Sequence, residues 1–204
     1  ISMQATGVPD PQGSYAPAFS PFPLYPPAGY VYPAVSIAVG PHNAAFSDAR
    51  GNMFIVGYND CGQLGNGTNF ASAEPQLVTM LGDRCITTVA LGDEFAAAVD
   101  SDGHVFTCGR GSGGALGHGD TLNQHYFKRV EYFGDNGYRV AAIVASGDMM
   151  AATTLGGMVF AWGTSSNGSL GQPTSGTPSV PSCTLVPIRI LAMALESVGY
   201  GYPR

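Results

Sequence analysis

A few places in this 204-residue chain bring together residue types that could do chemistry. Gly109-Arg-Gly-Ser-Gly-Gly114 satisfies the glycine spacing of a dinucleotide-phosphate loop. Such a loop needs a helix immediately after it, whose N-terminus takes the pyrophosphate. Here Ala-Leu-Gly-His-Gly-Asp follows, which starts no helix. Asp100-Ser-Asp-Gly103 opens like a calcium loop, but position 111, where the closing acid belongs, is Gly. His118-Gly-Asp120 sets an imidazole beside a carboxylate, the pairing of an acid–base or metal site. His42, His104, His118 and His125 are the only histidines, and Cys61, Cys85, Cys108 and Cys183 the only cysteines. The cysteines lack metal-ligand spacing, and no Ser or Cys has an identifiable base with a group to orient it. The expectation is a chain with no catalytic residue, no cofactor and no metal.

The elements that must position these groups explain them better. Gly57, Gly109 and Gly163 stand 52 and 54 residues apart, and Gly65, Gly117 and Gly171 repeat those intervals, as do Leu64, Leu116 and Leu170. Phe54, Phe106 and Phe160 recur three residues before the first set, and Trp162 precedes Gly163. A period near 50 marks stacked supersecondary units that cannot bury their apolar faces alone. In that register Asp100-Ser-Asp-Gly103 aligns with Ser47-Asp48-Ala49-Arg50-Gly51, a turn between strands. The glycosylation sequons Asn66-Gly-Thr68 and Asn167-Gly-Ser169 likewise fall in repeat turns, where Asn-Gly is favoured for its backbone.

Each unit reads as four short strands. First strands are expected at Val35 to Val39, Ile86 to Leu91 and Val140 to Ala145. Second strands carry Ala44-Ala45, Ala96-Ala97 and Ala151-Ala152. Third strands run over Met53 to Val56, Val105 to Cys108 and Met158 to Trp162. Fourth strands are expected at Gln76 to Met80, Phe127 to Tyr132 and Thr184 to Val186. Ile188 to Glu196 fits either a helix or the first strand of a fourth unit. Four antiparallel strands per repeated unit make a propeller blade. The recurring Phe would plug the joint between neighbours, each buried ring stabilising by roughly 1.5–3 kcal/mol.

These repeats resemble those of the regulator of chromosome condensation family. Tyr58-Asn-Asp-Cys-Gly-Gln-Leu-Gly-Asn-Gly67 carries the most specific part of the motif. Gly114-Ala-Leu-Gly-His-Gly-Asp120 is a second copy, and Trp162-Gly163 with Gly168-Ser-Leu-Gly171 a third. Where the family often has His, this chain has Asn43, Phe95 and Met150. The resemblance implies an all-β, partial or open propeller. Its expected parts are an arm over 1–33, blades over 34–85, 86–139 and 140–187, and the start of a fourth repeat over 188–204.

The net charge is −6, with eight Lys and Arg against fourteen Asp and Glu. No basic cluster exists to neutralise a run of phosphates, so no nucleic-acid partner is expected. No apolar run reaches the ~18–20 residues of a membrane span, so no membrane insertion is expected. Four scattered cysteines suit free thiols in a reducing, intracellular and cytoplasmic setting. Three repeats do not close a ring of ~4–8 blades. The chain is therefore expected to be a piece of a longer propeller, or an open arc whose edges a partner or a second copy caps.

The N-terminal arm differs in kind. It holds eight of the fifteen prolines, from Pro9 to Pro33, and only one charge, Asp10. Tyr15, Phe19, Phe22, Tyr25, Tyr30 and Tyr32 are interleaved with them. Such a segment favours extended geometry and is suited to lying on a surface, its own propeller or a partner's. The expected function is a non-enzymatic scaffold within a larger protein assembly, whether cytoskeletal, ciliary or organellar. The alternatives are a guanine-nucleotide exchange regulator of a small GTPase, which the resemblance to the family's founding member suggests, and a secreted binding propeller.

Overall fold

A computed structural model describes residues 32–164, 170 and 183–190. Arm residues Tyr15, Phe19, Phe22, Tyr25 and Tyr30 lie outside the described residues, as do Gly171 and the stretch after Ile190.

The described chain forms three four-stranded antiparallel sheets, each a simple meander. The first comprises β1 (Ala34–Val39), β2 (Asn43–Asp48), β3 (Met53–Gly57) and β4 (Ser72–Leu77). The second comprises β5 (Ile86–Leu91), β6 (Phe95–Asp100), β7 (Val105–Gly109) and β8 (Gln124–Arg129). The third comprises β9 (Val140–Ser146), β10 (Met149–Thr154), β11 (Val159–Thr164) and β12 (Cys183–Arg189). A short helix, α1 (Glu131–Asp135), links the second sheet to the third. The described residues form three blades of an open propeller arrangement.

The fourth strands sit earlier than the apolar pattern suggests. β4 ends at Leu77 and β8 at Arg129, so Val78 to Met80 and Val130 to Tyr132 are not strand. The outer strand of a blade is half wet, and its residues show no apolar run to follow. The apolar residues just after it serve another purpose. Val78 and Leu81, the latter in a 3-10 turn, are buried under the first joint, and Val130 and Phe133 under the second. Ile188 pairs with Ala161 inside β12, so it belongs to the third sheet rather than to a new repeat.

Two apolar clusters join the blades. One holds Ala45, Met53 and Ile55 of the first sheet against Val89, Leu91, Ala98 and Phe106 of the second. The other holds Ala97, Val99, Val105 and Phe133 against Ile143, Met150, Phe160 and Trp162. Phe106 and Phe160 thus occupy equivalent joints, and Phe160 meets Phe133 edge-on with centroids 5.4 Å apart. Phe54 is equally buried, but it stacks on Phe46 of its own sheet at 4.9 Å. Alanines on the second strands allow this close approach, because a bulkier residue would hold the sheets apart.

One register correction follows from strand pairing. Asn43 pairs with Gly57, Phe95 with Gly109, and Met149, not Met150, with Gly163. The cause is the turn between β9 and β10, which has only two residues, Gly147 and Asp148.

Candidate protein interface at the turn-bearing rim

The residue after each repeated glycine, Tyr58, Arg110 and Thr164, is tied to the turn between the first two strands of its sheet. Tyr58 N–H donates to the His42 carbonyl at 3.1 Å, Arg110 N–H to Glu94 at 2.9 Å, and Thr164 N–H to Asp148 at 3.0 Å. The preceding glycine makes this possible. Gly57, Gly109 and Gly163 have φ of 121°, 105° and 99°, a region that disfavours any side chain. A Cβ at these positions would lie 2.2, 2.4 and 2.2 Å from those same carbonyl oxygens. The repeated glycine is therefore the imprint of one repeated contact.

That contact fixes a pair of side chains at one rim of each blade, and their chemistry differs from blade to blade. His42 and Tyr58 set their rings 5.3 Å apart in the first. Glu94 and Arg110 form an ion pair in the second. Asp148 and Thr164 stand in the third. The hydrogen bond Arg110 donates to Glu94, and then the charges of Glu94 and Asp148, hold the Arg110 guanidinium above its ordinary range. Tyr58 is 57% exposed, and Asp60, Asp93 and His42 are exposed beside these pairs. Cys61 lies next to them, and burial and then the Glu94 charge push its thiol up, so it is not an activated nucleophile.

The groups singled out for chemistry are engaged in turns. Asp100 Oδ1 accepts the N–H groups of Asp102 at 3.0 Å and His104 at 2.9 Å, while Oδ2 meets Arg84 at 3.2 Å and the His104 ring at 3.1 Å. Burial would raise its pKa, but the bonds from His104 and Asp102 outweigh that and hold it below the usual carboxylate range. Asp48 closes the equivalent turn of the first blade through Arg50 and Asn52 N–H groups at 2.7 and 2.9 Å. Asp100, Asp102 and His104 are the one grouping of metal-ligating types among the described residues. The Arg84 cation already answers the inner carboxylate there.

His118 does not pair with Asp120. Its Nε2 lies 3.0 Å from Thr107 Oγ1, which donates to the Leu116 carbonyl at 2.8 Å. Burial and then the Lys128 charge lower its pKa to about 4. Asp120 instead accepts Leu122 N–H at 3.0 Å. Asn66 of the first sequon accepts the N–H and hydroxyl of Thr68 at 3.0 and 2.8 Å, as a turn residue does. Glycine-rich 109–114 leads into a 3-10 turn, Ser112–Gly114, not the α-helix a phosphate loop requires. Cys108 is fully buried, and burial pushes its thiol well up.

Leu64, Leu116 and Leu170 are each 1% exposed. Gly65 and Gly117 share a left-handed backbone, with φ of 65° and 76°. The turns they close are gripped by the next blade: Trp162 Nε1 donates to the Ala115 carbonyl at 3.0 Å, and Cys108 Sγ to Gln63 at 3.5 Å. Of the arm, Tyr32 is 36% exposed, and the Arg50 guanidinium sits 4.0 Å above its ring.

The regulator of chromosome condensation (RCC1) repeat matches residues 50–99 and 102–153, and a second description of that repeat matches 86–115. The chain belongs to the RCC1 repeat family. Each matched RCC1 repeat takes the last two strands of one sheet and the first two of the next, so the covalent repeat straddles the joint. Human E3 ubiquitin-protein ligase HERC2 is 34% identical over 157 residues, covering 76% of this chain and 3% of that protein. Among solved structures, human WBSCR16 superposes with a TM-score of 0.67 at 21% identity, and Prp20p of Saccharomyces cerevisiae with 0.65 at 19%. Each alignment covers 78% of this chain and 38% of the other. The chain thus spans well under half the length of the proteins it matches. Among the described residues, no helix is long and apolar enough to cross a membrane.

Sequence spacing exposed the glycines but not the rim pairs they serve. His42 shares no chemistry with the carboxylates Glu94 and Asp148, and the shorter third turn places Asp148 one residue after Gly147 where His42 and Glu94 stand two after Gly40 and Gly92. The available signal was positional: each lies 16 residues before the residue that follows the repeated glycine.

Proposed function

We propose that this RCC1 chain is a non-enzymatic protein-binding module, a scaffold component of a larger intracellular assembly, and that the rim of paired positions is its recognition surface. One observation carries the reading. The same backbone contact recurs in all three blades, while the side chains it presents are an aromatic pair, an ion pair and an acid beside a hydroxyl. A constant frame with variable tips is how a repeat fold builds specificity.

Other features support it. The groups with chemical potential spend their bonds inside turns. All four cysteines are free thiols, which suits a reducing compartment. Prp20p, a neighbour in fold, has binding properties to Gsp1p and histones. A protein partner for this chain is the simplest transfer of that precedent. The aromatic arm, with Asp10 its only charge, adds a second adhesive segment. Cytoskeletal, ciliary and organellar complexes are the settings in which such a partner would be sought.

The test is a photo-reactive residue placed at position 58 or 164 in the native protein. A discrete protein cross-linked from both positions is expected. A native protein that runs alone and cross-links to nothing would contradict the proposal. In parallel, release of labelled GDP from small GTPases is expected to be unchanged on adding the chain; acceleration would favour the exchange-regulator reading.

A further inference from the structure

The turns that carry the rim pairs lie side by side. A Cβ on Gly40 of the first turn would stand 2.8 Å from the Gly92 carbonyl of the second, and Asp93 N–H donates to the Gly147 carbonyl of the third at 3.1 Å. The loops from β3 to β4 and from β7 to β8 emerge at the same rim. They hold exposed apolar residues at one equivalent place. Phe70 stands two residues before Ser72, which pairs with Gly57, and Leu122 two before Gln124, which pairs with Gly109. Phe70 is 81% exposed and Leu122 65%. Both are fixed beside the rim pairs. Asn59, next to Tyr58, donates from Nδ2 to the Phe70 carbonyl at 3.1 Å, and Gly111, next to Arg110, donates its N–H to Asn123 Oδ1 at 3.0 Å. Single exposed apolar residues are ordinary. A large one held at the same place in consecutive blades marks a contact surface.

The charges at this rim have mainly one sign. Its turns and loops carry Asp60, Asp93, Glu94, Asp120 and Asp148 against one cation, Arg110, among the described residues. Arg50, Arg84 and Arg139 lie in turns at the opposite rim. Arg110 does not cancel the acids. It holds Glu94 through Oε2 and lies within reach of the Asp148 charge as well. A carboxylate accepts several bonds, so Glu94 is held in place for a second cation.

We propose that this rim binds a basic, apolar segment of another protein, its Lys or Arg side chains meeting the carboxylates and its apolar side chains resting on Phe70 and Leu122. Charge selects this occupant. Residues 1–33 of the chain itself hold no Lys or Arg, and a second copy, at net charge −6, would bring acid against acid. Attraction between opposite charges speeds encounter, and apolar anchors slow release. The inference rests on the rim being the recognition surface, and it adds what that surface recognises.

The experiment titrates the full chain against a fluorescent peptide in which Lys alternates with Leu and Phe. Two control peptides carry Glu for each Lys, or Ser for each Leu and Phe. Only the first is expected to bind, and more weakly as salt is added. Asp60→Asn with Asp93→Asn should weaken it by about tenfold or more, and so should Phe70→Ser with Leu122→Ser. Asp83→Asn with Asp102→Asn removes the same charge at the opposite rim and should change it by less than about twofold. Melting temperatures check that each variant folds; Phe70→Ser and Leu122→Ser made singly carry the test if the double variant does not. Equal binding of the Glu peptide, equal loss from the opposite-rim variant, or indifference to both rim variants would overturn the proposal. Binding that tightens when residues 1–33 are deleted would give the site to the arm, and a self-associated parent that excludes the peptide would give it to a second copy. A photo-reactive residue at position 58 separates the two readings. A peptide that binds without cross-linking there removes the rim itself, whereas one that cross-links but ignores the acid and anchor variants sinks this inference alone.

Discussion

The indole Nε1–H of Trp162 donates to the Ala115 carbonyl at 3.0 Å, fastening the third blade to the turn that closes the second. Both partners are buried, so no water replaces the bond when it is lost. Trp162→Phe keeps an aromatic ring in the joint but orphans that carbonyl. It should cost about 1–3 kcal/mol in urea unfolding. A cost near zero would show that the joint rests on apolar packing alone.

Gly109→Ala should cost more than Gly82→Ala. Both glycines have positive φ, at 105° and 62°, so both variants carry backbone strain. Only at Gly109 would the new Cβ also lie 2.4 Å from the Glu94 carbonyl, whereas nothing lies within 4 Å at Gly82. A difference of roughly 1–3 kcal/mol between the two variants is expected. Equal costs would mean that the rim contact does not require glycine.

His118 should make the fold sensitive to mild acid. Its pKa is lowered from 6.5 to about 4, so between those values the unfolded chain binds a proton that the folded chain refuses. Stability therefore falls as pH drops from about 6.5 toward 4 and levels off below. His118→Asn should flatten that part of the urea-midpoint profile. An unchanged slope would place the acid sensitivity elsewhere.

Much of this fold was legible because its constraints are local and repeated. Gly57, Gly109 and Gly163 each answer a carbonyl that no Cβ could approach, so they stand out without any structure. The Phe at the joint and the paired alanines are legible for the same reason: close packing leaves few alternatives. The fourth strands were not, because a half-wet outer strand needs no apolar pattern, and Val78 and Val130 drew the eye to the plugs beyond it. The third-blade register slipped because a two-residue turn moved Met149 into the place that spacing assigned to Met150. The rim pairs were hidden because their side chains differ from blade to blade, although His42, Glu94 and Asp148 each stand 15 residues before the repeated glycine.

Rim substitutions should separate binding from stability. Tyr58, Arg110 and Thr164 hold their places through backbone N–H groups, which survive truncation of the side chain. The exposed Arg110–Glu94 pair contributes little to folding, typically ~0–1 kcal/mol. Tyr58→Ala, Arg110→Ala and Thr164→Ala together should leave the urea midpoint nearly unchanged. A large loss of stability would make the rim structural.

The most direct test measures the affinity of this triple variant, beside the parent, for the protein that photo-cross-links at the rim. The account predicts a loss of at least about tenfold, corresponding to ~1.4 kcal/mol, with the melting temperature retained. Undiminished binding by a folded triple variant would contradict it.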